Sequence, residues 1–164
     1  MAFDMFLKVE GVKGESTDSI HKEWMEVMSF SHGLSQAPGG ALSSEGALTG
    51  GRADHSDFSI VKRLDSASPT LAILLCRGSA IKEIVFELCR ATGDKTTFMK
   101  YTFKNCIVSG YRPGGSGVGD DPLPLEEVSF RYGEIYYEYT PTSPTGQKGA
   151  AVKAAWSTME NKSL

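Results

Sequence analysis

The sequence predicts a mainly β, single-domain fold with one short helix. Three observations carry this expectation. Apolar and polar residues alternate with a period of two through most of the chain, glycines and other turn residues interrupt those runs, and one apolar block, Leu71 to Cys76, is bracketed by Ser68-Pro69 and Gly78. The 164 residues suit one unit on a scale of about 150 residues per domain, so residues 1–164 are read as a single domain.

Phe3, Met5, Leu7 and Val9 alternate with Asp4, Lys8 and Glu10 before Gly11 and Gly14 stop the run, which predicts a first strand. Glu23 to Phe30 gives a second, with Trp24, Met28 and Phe30 on one face and Met25, Val27 and Ser29 on the other. The polar set continues through Ser31 to Gly33, and His32 stands where the opposite parity favours a large apolar residue. Ser68 as N-cap, Pro69 at the first helical position and Gly78 as the stop predict a short, largely buried helix. Two to three turns are marginal alone, so the helix must lean on a sheet or a neighbouring chain. From Ala80 to Val108 the pattern predicts a long hairpin turning at 91–95. Leu125 to Tyr132 and Glu134 to Thr140 predict a second pair joined near Gly133. Two glycine-rich segments, Gln36 to Asp57 and Gly110 to Pro124, are read as loops, and about 20 residues without structure is long for a compact domain.

Charge and composition exclude several classes. Seventeen basic against 20 acidic residues, a net charge of −3 and a pI near 5.6 give no electrostatic footprint for nucleic acid or anionic lipid. The opening Met1 to Lys8 lacks the basic and unbroken apolar regions of an export signal, and no apolar run approaches the roughly 20 residues a spanning helix needs. Cys76, Cys89 and Cys106 are odd in number and show no CxxC, so they are expected to be buried free thiols, with neither disulfides nor a zinc site.

The residue patterns predict no catalytic centre, metal or cofactor. His21, His32 and His55 fall in unrelated segments, and Asp54, His55 and Asp57 are read as solvated loop residues. No serine or cysteine sits in a recognisable nucleophile turn. Gly115-Ser116-Gly117-Val118-Gly119 matches neither phosphate-binding spacing and runs into Asp120-Asp121. The tyrosines Tyr132, Tyr136, Tyr137 and Tyr139 interleave with Glu134 and Glu138, which argues against a stacking platform for single strands. What the pattern does suggest is assembly: an open sheet leaves edge N–H and C=O groups to be covered or used, and head-to-tail contacts can close a ring.

The order and spacing of several segments resemble the Hcp (haemolysin co-regulated protein) family, the inner-tube proteins of type VI secretion systems. They are Asp4 to Val9 with Gly11 to Ser16, His21 with Val27, Ser29, Ser31 and Gly33, Asp57 to Lys62 with Leu64-Asp65 and Ser68 to Leu71, and the closing Val152-Lys153, Trp156 and Asn161-Lys162. The resemblance covers essentially the whole chain. It implies two sheets packed as a barrel-like β-sandwich with one helix, similar to phage tail-tube proteins. It further implies homo-hexameric rings that stack inside a contractile sheath behind a spike, leave the cytoplasm without a signal peptide, and carry small effector proteins in the lumen.

By position, the resemblance assigns Ser29 and Ser31 to the lumen wall and effector contact. It assigns Gly39, Gly40, Gly50, Gly51 and His55 to an extended loop that reaches the next ring, and Leu71, Leu74 and Leu75 to helix packing at the subunit interface. Two alternatives remain open at this point: a monomeric β-barrel that binds a ligand or acts as an adaptor, and a hydrolase that uses Asp57.

Overall fold

The computed structural model describes residues 2–37, 50–91, 95–120 and 122–164. Among the described residues the strands are β1 Phe3–Val9, β2 Met25–Glu26, β3 Ser29–Ser31, β4 Leu34–Ser35, β5 Asp54–His55, β6 Phe58–Arg63, β7 Ile81–Arg90, β8 Thr97–Gly114, β9 Leu125–Arg131, β10 Glu134–Tyr139, β11 Val152–Ser157 and β12 Lys162–Ser163. A single helix, α1 Ser68–Arg77, lies between β6 and β7. The first sheet runs β12-β11-β10-β8-β7-β1-β2, the second β3-β6-β9-β8, and β4 pairs only with β5. All these pairings are antiparallel.

β8 belongs to both sheets. Its first half pairs with β7 and β10, its second half with β9. It changes sheet near Asn105, whose φ is 54°, and a register shift between Val108 and Gly110 follows. A bulge bends a strand and increases its twist, which suits a crossing between two layers. The layers meet over aromatic side chains: Phe58 of β6 packs on Phe86 of β7 and Phe103 of β8, with ring centroids 5.1 and 4.7 Å apart. Leu7, Ile60, Ile84, Val128, Phe130 and Ile135 complete this fully buried core.

The two-sheet β-sandwich with one helix agrees with the expectation, and several elements differ from it in informative ways. Glu23 to Phe30 is two short strands rather than one. Val27 N–H bonds Met5 in the first sheet and Met28 N–H bonds Val61 in the second, so the chain changes sheet there. The buried parity changes with it, from Met25 and Val27 to Phe30, and Met28 is left 44% exposed. The segments at Leu125–Arg131 and Glu134–Tyr139 do not pair with each other; β9 pairs with β6 and β8, and β10 with β8 and β11. Gly133 carries the chain from one sheet to the other, its N–H pointing at the carbonyls of Lys104 and Asn105 beside the bend in β8. The first part of the second glycine-rich segment is strand, since Pro113 pairs with Glu126 and Gly114 with Leu125. Likewise β5 lies inside the first.

The helix also departs from the expectation. Its N-cap is Ala67, with no side-chain cap. The Ser68 hydroxyl instead accepts from the Asp65 N–H and donates to Glu126 at 2.7 Å, because an ion pair lies beneath it: Lys62 Nζ is 2.6 Å from Asp65 and 2.5 Å from Glu126. Gly78 is the left-handed stop, at φ 60°, with its N–H bonded to Leu75. Only Ser68 and Leu71 of the helix are buried, so its other face is open, with Ile73 48% exposed. Of the thiols, Cys89 and Cys106 are buried but Cys76, on that open face, is exposed. Among the described residues no helix is long and apolar enough to cross a membrane.

Candidate functional site

The candidate site is the outer face of the second sheet together with the root of the long loop beside it. In β3, Phe30 points inward against Phe86, with centroids 4.9 Å apart, so Ser29 and Ser31 point outward and are exposed. Register carries this face across the sheet. Ser31 lies opposite Ser59, Ser59 opposite Ser129, and Ser129 opposite Gly110. The next row is Ser29, Val61, Glu127 and Arg112. A Cβ at Gly110 would overlap the Ser129 hydroxyl, so glycine is what lets the row pack flat. Ser109 Oγ donates to Asp57 at 2.7 Å and is 3.3 Å from Ser129 Oγ. The result is a face of small hydroxyls with a few mixed charges and little apolar area.

Ser59 and Ser129 were missed by the sequence reading. The available signal was parity: Phe58, Ile60 and Lys62 are buried in β6, and Glu126, Val128 and Phe130 in β9, which puts Ser59 and Ser129 on the other side.

The loop root is pinned at several points. β4 and β5 hold it as a two-stranded ribbon. Gly33 and Ser56 exchange hydrogen bonds of 2.7 and 3.0 Å. The Gln36 side chain donates to the Gly51 carbonyl, and Arg52 to that of Thr158. A Cβ at Gly50 would overlap the Gln36 amide, so Gly50 serves close packing here. Gly39 and Gly40 lie outside the described residues.

His55 stands at this root, and so does His32. Tyr132, 6% exposed, holds its hydroxyl 2.6 Å from His32 Nε2 and 2.9 Å from His55 Nδ1. A phenol can donate to one neutral ring while accepting from the other. Burial holds the pKa of both histidines below the ordinary value; the neighbouring His55 adds to this at His32, and Asp54 opposes it at His55. His32 thus takes the inward position that its parity reserves for a large side chain, near Phe58 and Phe103, with its polar edge satisfied by Tyr132. Asp57 is committed to Ser109 and to Arg131 Nε at 2.9 Å.

Although the three histidines fall in unrelated segments, the fold brings His21 to Glu87 and Cys89, with their ligating atoms within 4.8 Å of one another. On the helix, Leu71 is fully enclosed within its own chain, whereas Leu74 and Leu75 are half-buried.

Residues 6–139 match the family model described as type VI secretion system effector, Hcp. Protein hcp1 of Pseudomonas aeruginosa is 32% identical over 163 residues, covering 98% of both chains. A solved type six secretion system protein superposes with a TM-score of 0.93 at 34% identity, over 99% of this chain and all of the other. Hcp1 from Salmonella typhimurium superposes with a TM-score of 0.81 at 26% identity, over the full length of both.

Proposed function

Because this chain belongs to the Hcp family of type VI secretion proteins, we propose that it is a subunit of that system's inner tube, assembling into hexameric rings that stack. The rings are expelled by the sheath and spike, and small effector proteins travel in their lumen. The role is structural and involves no catalytic step.

One observation carries the reading: the sheets do not close on themselves. Among the described residues, the first ends at β12 and β2 and the second at β3, all strands of two or three residues. β2 covers only Phe6 and Leu7 of β1, and β12 only Trp156 and Ser157 of β11, so much of the outer side of each longer strand is left to offer backbone N–H and C=O groups to another chain. A copy placed head to tail around an axis satisfies them and closes a ring. The open face of α1, with Ile73, Leu74 and Leu75, supplies apolar area for the same contact.

The serine face around Ser29 and Ser31 suits a lumen wall. Small hydroxyls give cargo a polar surface with little apolar adhesion, so release is not impeded. In this reading the segment that carries Gly39, Gly40, Gly50 and Gly51 contacts the next ring, and β4, β5 and His55 stand beside its described ends. Light scattering coupled to size exclusion tests the proposal: rings have sixfold the mass of the 17.7 kDa chain and appear annular by electron microscopy. A species of single-chain mass at high concentration overturns it.

A further inference from the structure

His21 and Glu87 are 66 residues apart in sequence, yet His21 Nε2 lies 2.8 Å from Glu87 Oε2 and 3.8 Å from Cys89 Sγ. Neighbouring ligands of a tetrahedral zinc ion are separated by roughly 3.3 Å for N and O and about 3.6 Å for N and S. The first two separations are each within about half an ångström of those values, and all three ligating atoms lie within 4.8 Å of one another, so closing the set requires Glu87 Oε2 and Cys89 Sγ to draw together.

The surroundings hold the imidazole as a metal-binding histidine is held. His21 is 1% exposed. Its other nitrogen, Nδ1, lies 2.9 Å from Asp18 Oδ1, and that same oxygen accepts the backbone N–H groups of Ile20 and His21. A carboxylate on the far nitrogen fixes the tautomer and aims the near one. Phe6 stacks on the ring at 4.2 Å, and Trp24 meets it edge-on at 4.8 Å. Thr97 Oγ1 donates to Glu87 Oε2 at 3.0 Å and lies 3.3 Å from Cys89 Sγ, so the carboxylate is also oriented from behind.

Charge balances as well. A divalent ion offsets one carboxylate and one thiolate, while Asp18 is separately neutralised by Lys95 Nζ at 2.6 Å. We propose that His21, Glu87 and Cys89 form a binding site for a divalent cation of the zinc class, with Asp18 and Thr97 as positioning residues. Binding displaces to water both the Sγ–H proton of Cys89 and the proton shared between His21 Nε2 and Glu87 Oε2, after which His21 offers the Nε2 lone pair while its Nδ1–H donates to Asp18. The ion competes with protons for these ligands, so affinity rises with pH. The bound ion ties the segment carrying His21 to β7.

The test is titration of the purified, reduced chain with Co²⁺ and Zn²⁺, because cobalt bound by a thiolate shows a sulfur-to-metal charge-transfer band. The expected result is a band that saturates at one ion per chain, is abolished by added Zn²⁺, survives Cys76→Ser and is lost in Cys89→Ser. Asp18→Asn weakens binding about 10- to 100-fold. Circular dichroism checks that the variants fold. Should Cys89→Ser fail to fold, the titration of the unsubstituted chain and of Glu87→Gln decides. No thiolate band with the native residues, or unchanged affinity in Glu87→Gln, overturns the proposal, as does a band that folded Cys89→Ser retains.

Discussion

Lys62 and Glu126 face each other across the β6–β9 ladder, both fully enclosed beneath α1, with Nζ 2.5 Å from Oε1. Around them Asp65, Ser68 and Tyr111 complete a network, with the Tyr111 hydroxyl 2.7 Å from Glu126 Oε2. Burial, followed by the Glu126 carboxylate that its hydroxyl bonds, pushes the Tyr111 phenol up to about 12.

Removing one partner of that pair is costly because it strands the other charge. Glu126→Ala is expected to destabilise the chain by about 3–5 kcal/mol, whereas Tyr111→Phe costs about 1–2 kcal/mol for its hydrogen bond. Joint replacement of Lys62 and Glu126 by Met and Leu is expected to recover most of the first loss. Urea unfolding midpoints order the three variants.

Stability should fall on mild acidification. His32 and His55 have folded pKa values below 6.5, mainly through burial. The unfolded chain therefore binds more protons than the folded one as pH drops through 6.5, and the loss continues until the lowered folded values are reached. A second loss starts below 3.8, because the bond from Lys95 holds the Asp18 carboxyl well below its usual range. Urea midpoints at pH 7.5 and 5.5 report the first effect. A double His32→Gln, His55→Gln variant with the same pH slope would contradict the assignment.

Gly14→Ala should be poorly tolerated. A Cβ there overlaps the Trp24 carbonyl and the Met25 amide nitrogen, neither of which can rotate away as a side chain can. The expected cost is about 1–3 kcal/mol, as for other overpacked positions. Gly117→Ala, with open space around it, is the control, and thermal midpoints separate the two.

Two helix positions dissociate chain stability from assembly. Leu71→Ala removes a fully buried side chain and is expected to cost about 2–5 kcal/mol in unfolding. Leu74→Asp sits at a half-buried position on the boundary of the open face, and its main expected effect is loss of ring mass. Rings of normal mass from Leu74→Asp would remove α1 from the subunit contact.

Ring formation should also respond to ionic strength. Six copies of a chain carrying −3 repel one another, so moderate salt favours rings by screening. Scattering mass measured from low to physiological salt is expected to rise or hold. Collapse of the ring population over that interval refutes the electrostatic part of the reading.

Period-two alternation located β1 and β7 to β10 because each of those runs has one face set by the core, as Val128 and Phe130 show in β9. It failed where the chain leaves one sheet for the other. At Val27–Met28 the buried parity flips, and at Gly133 the chain passes between sheets, so neighbouring strands in sequence are not neighbours in space. Pairing partners depend on such crossings, which leave no periodic trace. Polar partners were hidden for a related reason. His32, His55 and Tyr132 lie in three separate segments, and their hydrogen bonds exist only once both layers are in place. Ser31 was legible because its own strand fixes its side, whereas Ser59 and Ser129 needed register to join it.

Because one long strand, β8, is shared by both layers, neither layer can come apart while the other persists. Loss of one strips a hydrogen-bonding partner from the next, so the two layers are expected to unfold together. Some pairings join strands far apart along the chain, β1 with β7 and β6 with β9 above all, which raises the contact order and slows folding. Under the proposed assembly, only a finished monomer presents the edges a neighbour needs, and the time a newly made chain spends before completion sets its exposure to aggregation and to chaperones.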